Sequence, residues 1–170
     1  EAAGVETKAG DLLDRNQVAK LPDADAVFFL AGMKFGASSN EPLTWAMNTH
    51  VPALAAERYA ESRMVAFSTG NVYPFTPVAG GGAIESTPPE PLGEYAQSCL
   101  GRERILQYMS ERHKMPLSII RLNYANEPRY GIIVDVARRV SEGRAVDLSM
   151  GFVNLIWQGD ANNYVARSMH

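Results

Sequence analysis

Apolar residues gather into four short runs at wide intervals: Ala26-Val27-Phe28-Phe29-Leu30, Met64-Val65-Ala66-Phe67, Leu117-Ser118-Ile119-Ile120-Arg121-Leu122 and Phe152-Val153-Asn154-Leu155-Ile156. The first two are almost continuously apolar and rich in Val and Phe, the pattern of strands covered on both faces. The last two are interrupted by Ser, Arg or Asn and suit places nearer a sheet edge. Between the runs the spacing turns helical. Residues 41–62 follow Asn40, a good N-cap, carry Pro42 in the first turn, and set Leu43, Trp45, Ala46, Val51, Leu54, Ala55 and Tyr59 on one broad face. Residues 94–113 place Tyr95, Leu100, Ile105, Leu106 and Met109 at mixed steps of three and four. Residues 132–142 put Ile132, Val136 and Val140 four apart and stop at Gly143, a common helix-ending residue. Strand alternating with helix predicts an α/β fold with a parallel sheet of βαβ units.

In such a sheet, ligands bind beyond the carboxyl ends of the strands. The residues there are Ala31-Gly32-Met33-Lys34, Ser68-Thr69-Gly70-Asn71, Asn123-Tyr124-Ala125-Asn126 and Gln158-Gly159-Asp160. Three of these four ends switch abruptly to small and polar residues, which marks them as the place for a site. One loop-rich stretch, residues 74–91, holds Gly80-Gly81-Gly82 and Pro88-Pro89.

Composition narrows the function class without naming it. The 170 residues are 46% hydrophobic and 21% charged, enough for one core. Lys+Arg 16 against Asp+Glu 19 gives a net charge of -3 with the signs interspersed, so neither nucleic acid nor an anionic membrane is an expected partner. No apolar run approaches the roughly 18 residues of a membrane span. The single cysteine, Cys99, excludes an internal disulfide framework and suits a reducing compartment, so the expected setting is cytoplasmic. His50, His113 and His170 lack metal-ligand spacing, and no metal is expected.

The order of motifs carries more. Phe67-Ser68-Thr69-Gly70-Asn71-Val72-Tyr73, then Glu85 with Pro88-Pro89, then Tyr95-Ala96-Gln97-Ser98-Cys99-Leu100-Gly101-Arg102-Glu103, resembles the extended short-chain dehydrogenase/reductase family of NAD-dependent epimerases and dehydratases. Further pieces follow in the family's order. Gly10-Asp11-Leu12-Leu13-Asp14 resembles the turn that holds adenine, and Phe29-Leu30-Ala31-Gly32 the small-residue strand end under the dinucleotide. Asn48 matches the Asn of the next helix, Arg121 with Pro128 the strand and loop after the catalytic helix, and Ile156 with Asp160 a late Ile-x-x-x-Asp element.

The resemblance implies a Rossmann-like doubly wound parallel sheet binding NAD or NADP and acting on a nucleotide sugar or similar hydroxylated small molecule. It implies Tyr95 as general acid/base and Thr69 as the hydroxyl that holds the same substrate oxygen, with Cys99 at the third catalytic position. Asp11, Leu12, Leu30, Ala31, Gly32, Ser68, Tyr95 and Leu122 would border the cofactor, and Thr69, Asn71 and Tyr124 the substrate. A homodimer through the two long helices is the family's usual assembly. The Gly-rich loop that seats the pyrophosphate on a helix N-terminus would precede Asp11, so residues 1–170 read as a partial domain lacking the first βαβ part. Residues 150–170 would begin the substrate-side region, most of which lies beyond them. The chain alone is therefore expected to bind dinucleotide weakly. The residue that separates NAD from NADP would also lie upstream.

Two departures fall at the expected reaction centre. The family has a Lys four residues after the Tyr, where its charge lowers the phenol pKa; this chain has Cys99. The Asn that commonly touches substrate is Tyr124, and a nearby Gly is Glu127. A second reading is thus a dinucleotide-binding module whose catalysis has decayed into sensing or scaffolding. The plainer roles are a small helix residue for Cys99, a strand-end cap for Thr69, a turn former for Asp11 and a helix-start cap for Asp160. Lys34 reads as a solvated loop residue that could also reach the cofactor edge. Arg102, Glu103 and Arg104, like Arg138 and Arg139, read as solvated helix faces.

Overall fold

The computed structural model describes residues 4–34, 39–149 and 151–170. Its frame is a three-stranded parallel sheet of β1 (Ala26–Phe29), β2 (Arg63–Thr69) and β3 (Leu117–Leu122), ordered in space as in sequence. Register runs from Ala26 opposite Arg63 on one side and from Met64 to Thr69 opposite Leu117 to Leu122 on the other. A short helix, α1 (Arg15–Val18), precedes β1; Asp14 caps it by accepting from the Asn16 N–H.

The first crossover starts at α2 (Glu41–Trp45), where the Asn40 side chain accepts from the Leu43 N–H at 3.1 Å, as an N-cap should. It passes through a π-helical turn, Ala46–His50, into α3 (Val51–Arg58). The irregularity has a local cause. Pro52 has no N–H to offer the Asn48 carbonyl four residues back. The second crossover is α4 (Gly93–His113). Two successive crossovers in one direction lay their helices on one face of the sheet, and α3 packs on α4 there. Phe29, Val51, Ala56, Met64, Ala66, Leu106, Met109 and Met115 form the core between the layers. Fully burying a side chain such as Met64 or Leu106 contributes about 1.5–3 kcal/mol.

The remaining elements build a smaller unit. β4 (Tyr124–Asn126) pairs in parallel with β5 (Leu155–Trp157), flanked by α5 (Ile132–Ser141) and α6 (Gln158–Arg167). α5 ends as the sequence implies: Gly143 takes the left-handed φ of +65° and its N–H bonds the Val140 carbonyl at 3.1 Å.

Several expectations need correction. The fourth apolar run is not a strand of the main sheet; only its end, with Trp157, forms β5 in a separate pair. β1 is covered on one face only, with Phe28 46% exposed, because α3 and α4 both lie on the opposite face, where Phe29 joins the core. The first long helix stops at Arg58 rather than residue 62, where Tyr59 leaves helical geometry, and Leu43 and Trp45 on its apolar stripe remain exposed. Asp160 sits inside the first turn of α6 and makes no capping bond; Trp157 holds the N-cap position. Arg102 and Glu103 are buried at 6% and 1% exposure, not solvated. β4, α1 and α6 had no clear periodic signal, being short or weakly amphipathic.

Candidate active site

β2 ends at Thr69 between two neighbours, and its last residues face different ways. Ser68 continues the side of Met64 and Ala66 toward α4 and donates to Glu103 Oε1 at 2.5 Å. Arg121 at the end of β3 grips the same carboxylate from Nε at 2.9 Å and Nη2 at 2.6 Å, and its guanidinium lies 4.6 Å from the Tyr73 ring centre. That bidentate pair, with Glu103 buried, locks α4 against β2 and β3. Its hydrogen bond to Glu103 holds the Arg121 guanidinium charged even more firmly than usual.

Thr69 turns toward the amino end of α4. Its Oγ1 accepts from the Asn71 N–H at 3.2 Å, capping the turn Gly70–Val72. The Tyr95 phenol lies near this hydroxyl, which favours its ionised form. Tyr95 is half-buried and stands beside the buried Cys99 thiol one helical turn on. Burial pushes the Tyr95 pKa up to about 12, the neighbouring sulfur adds to the rise, and the Thr69 bond and the Arg102 charge pull the other way. At pH 7 only about one phenol in 10⁵ is ionised at that value. Burial also pushes the Cys99 thiol up, so it rests protonated and unreactive.

Thr69, Tyr95 and Cys99, three residues singled out by sequence, are therefore brought together. Sequence reasoning missed a fourth. Arg102 approaches the same cluster from below, its Nη1 donating to the Phe67 carbonyl at 2.7 Å and its Nη2 to Asn48 Oδ1 at 2.7 Å. Its signal was legible: Tyr95, Cys99 and Arg102 lie at i, i+4 and i+7, one stripe of a helix. Asn48 is a hub, also bonding the Met33 N–H (2.8 Å), the Met33 carbonyl (3.0 Å) and Ser98 Oγ (2.9 Å).

The other candidates ring this cluster or lie apart. Ala31 and Gly32 end β1 without bulk, and Leu30 beside them is 65% exposed. Leu122, partly buried, faces Thr69 across the sheet register, while the Asn71 side chain is exposed. Tyr124 is 45% exposed, with the Lys34 amine 5.4 Å from its ring centre, so loops after β1 and β3 meet above the strand ends. Asp11 forms a turn, accepting from the Leu13 N–H at 2.9 Å, beside a cavity of about 100 Å³ that Leu12 also lines. A larger cavity of about 690 Å³ lies along β3 and α6, walled by Glu85, Arg121, Asn154 and Tyr164; it does not include Tyr95, Thr69 or Cys99. Among the described residues no group of three His, Cys, Asp or Glu could hold a metal ion, and no helix is long and apolar enough to cross a membrane.

Comparison with known proteins gives the family and the fold. The profile of the NAD dependent epimerase/dehydratase family matches residues 1–152. The fold is similar to that of UDP-glucuronic acid 4-epimerase from Bacillus cereus, solved with UDP-glucuronic acid and NAD, at TM-score 0.81 and 19% identity over 95% of this chain and 54% of that one. It is similar to the UDP-glucose 4-epimerase of Thermus thermophilus in complex with NAD, at 0.78 and 22% over 94% of this chain and 58% of that one. RMD from Pseudomonas aeruginosa complexed with NADPH aligns at 0.77 and 21% over 99% of this chain and 68% of that one. At these identities the likeness is one of fold, Rossmann-like, and the chain spans little more than half the length of the two epimerases. A search of the curated proteins found no match. The chain belongs to the NAD-dependent epimerase/dehydratase family.

Proposed function

We propose that the chain forms the catalytic-helix part of an NAD(P)-dependent oxidoreductase of epimerase/dehydratase type, acting on a nucleotide sugar or similar hydroxylated metabolite. The observation that carries the proposal is the Tyr95 phenol beside the Thr69 hydroxyl at the carboxyl end of β2. Tyr95 takes or returns the proton of the reacting hydroxyl, and Thr69 donates to the same oxygen as its charge changes. Ala31 and Gly32 would border the dinucleotide with their backbone, the space beside the Gly32 Cα being filled by Arg102 and Asn48, with Asp11, Leu12, Leu30, Ser68 and Leu122 around the ligand. When bound, NAD or NADP supplies the hydride acceptor or donor. Asn71 and Tyr124 flank the substrate side, and residues 150–170 begin the substrate-binding region. A cytoplasmic compartment belongs to the same reading.

A second reading, a dinucleotide-binding module without turnover, draws support from Cys99 and from the high Tyr95 pKa. The test is conversion of the sugar, followed by NMR of substrate and product because an epimerase or dehydratase returns the hydride it takes, by the full-length protein offered UDP-sugars with NAD or NADP. Measurable turnover that Tyr95→Phe abolishes supports the enzyme; dinucleotide binding without turnover supports the module. A homodimer through the faces of α2–α3 and α4 belongs to the first reading, and Leu43, Trp45 and Tyr108 remain exposed on those helices. Sedimentation of the full-length protein as a monomer would remove that part.

A further inference from the structure

Tyr95 stands in the first turn of α4, the least secure place in a helix. The opening N–H groups of a helix have no acceptor within it, so that turn frays unless something outside holds it. Leu92 at the N-cap position makes no side-chain capping bond, and Gly93 after it takes a left-handed φ of +77°. The hold comes from the first crossover instead.

On the inner side, Asn48 Nδ2 donates to Ser98 Oγ at 2.9 Å, and that hydroxyl donates to the Tyr95 carbonyl at 2.9 Å. Thr49 Oγ1 donates to the Ser98 carbonyl at 3.3 Å. The Asn48 carbonyl, which Pro52 leaves without a helical donor, accepts from Arg102 Nε at 3.3 Å. On the outer side, Trp45, the last residue of α2, donates from Nε1 to Glu94 Oε2 at 2.5 Å. Glu94 immediately precedes Tyr95, and its carboxylate is a strong acceptor that also suits the amino end of a helix. A Cβ on Gly101 would stand 3.0 Å from Thr49 Oγ1 and 3.2 Å from Trp45 Cζ3. Glu94 and Gly101 lie seven residues apart on one stripe of α4, so the indole rests on the helix at Gly101 while its N–H reaches the first turn.

We propose that Trp45 and Glu94 are positioning residues for Tyr95. Their bond braces from outside the turn that carries the phenol, and Gly101 lets the indole lie close enough to make it. The inference rests on the assignment of Tyr95 as acid/base. Both side chains act through the backbone of that turn, by fixing where the phenol stands.

The test reads the full-length protein in two ways. Hydrogen exchange needs no cofactor and follows the amides of residues 97–99, which donate to the carbonyls of the first turn. Trp45→Phe keeps a ring over Gly101 without the N–H, and is expected to speed their exchange by about tenfold while residues 104–110 stay as they are. Glu94→Ala removes the same bond from the other side, so it should give a similar increase, and the double variant no more than either single. Glu94→Gln keeps an acceptor and should stay within about threefold of the parent. In sugar conversion, Trp45→Phe and Glu94→Ala are expected to lower kcat by about five- to tenfold with KM within about twofold. Unchanged exchange at residues 97–99 in both single variants, additive effects in the double one, or faster exchange with kcat unaltered would overturn this inference alone. A parent that converts no sugar would overturn the reading of Tyr95 and this inference with it.

Discussion

The Tyr95 phenol stands beside the Cys99 thiol one helical turn on, at the position where a family Lys would present a positive charge. The contact inverts the usual electrostatics. The buried sulfur raises the Tyr95 pKa, whereas an ammonium would stabilise the phenolate. Cys99→Lys is therefore expected to lower the Tyr95 pKa from about 12 by roughly one to three units. A tyrosinate absorbance titration compared with Cys99→Lys/Tyr95→Phe reads the shift directly, and the full-length variant should gain hydride transfer in step with it.

Glu103 and Arg121 form the buried ion pair that joins α4 to the sheet. Removing one partner strands the other and the Ser68 hydroxyl. Glu103→Ala should cost about 3–5 kcal/mol in urea unfolding, and a Glu103→Leu/Arg121→Leu double variant distinctly less than the sum of its singles.

Alkaline stability follows from the raised Tyr95 pKa. The unfolded chain releases this proton near pH 10, the folded one at about 12. Between those values the folded state binds more protons, so the contribution, fully present below pH 10, is lost as pH rises through about 12. Tyr95→Phe should fall less steeply in Tm across that window, by about 1–2 kcal/mol of stability at its upper end. Parallel curves for the two proteins would contradict the assignment.

Much of the frame was legible because its signals are local. The helix of residues 93–113 and β3 follow from periodicity, and Asn40 and Gly143 mark their helix ends by their own chemistry. Thr69 and Tyr95 were legible as motif positions. Arg102 and Glu103 were misplaced because adjacent charges on a helix are usually solvated, and nothing local announces the partners that bury them. Those partners arrive through the sheet: Ser68 and Arg121 stand side by side in the β2–β3 register, although far apart in sequence. The π-helical turn had one sequence signal, Pro52, whose effect on the Asn48 carbonyl shows only when Arg102 is seen to satisfy it. β4 and β5 are three residues each, too short for alternation to show.

Gly32 is required for close approach and not for turn geometry. Its added Cβ would meet the Arg102 guanidinium and Asn48 Oδ1, both fixed by hydrogen bonds. Gly32→Ala should destabilise by about 1–3 kcal/mol in chemical denaturation. A stability equal to that of the parent protein would show that the Arg102 network has more room than these contacts allow.

The central claim, that Tyr95 with Thr69 is a working acid/base pair, is tested most directly by turnover. Steady-state conversion of a nucleotide sugar by the full-length protein with NAD or NADP should be measurable by NMR of the sugar, and Tyr95→Phe should reduce kcat by about 10²-fold or more. A Tyr95→Phe protein within a few-fold of the parent, or a parent that binds dinucleotide and converts no sugar, would contradict it.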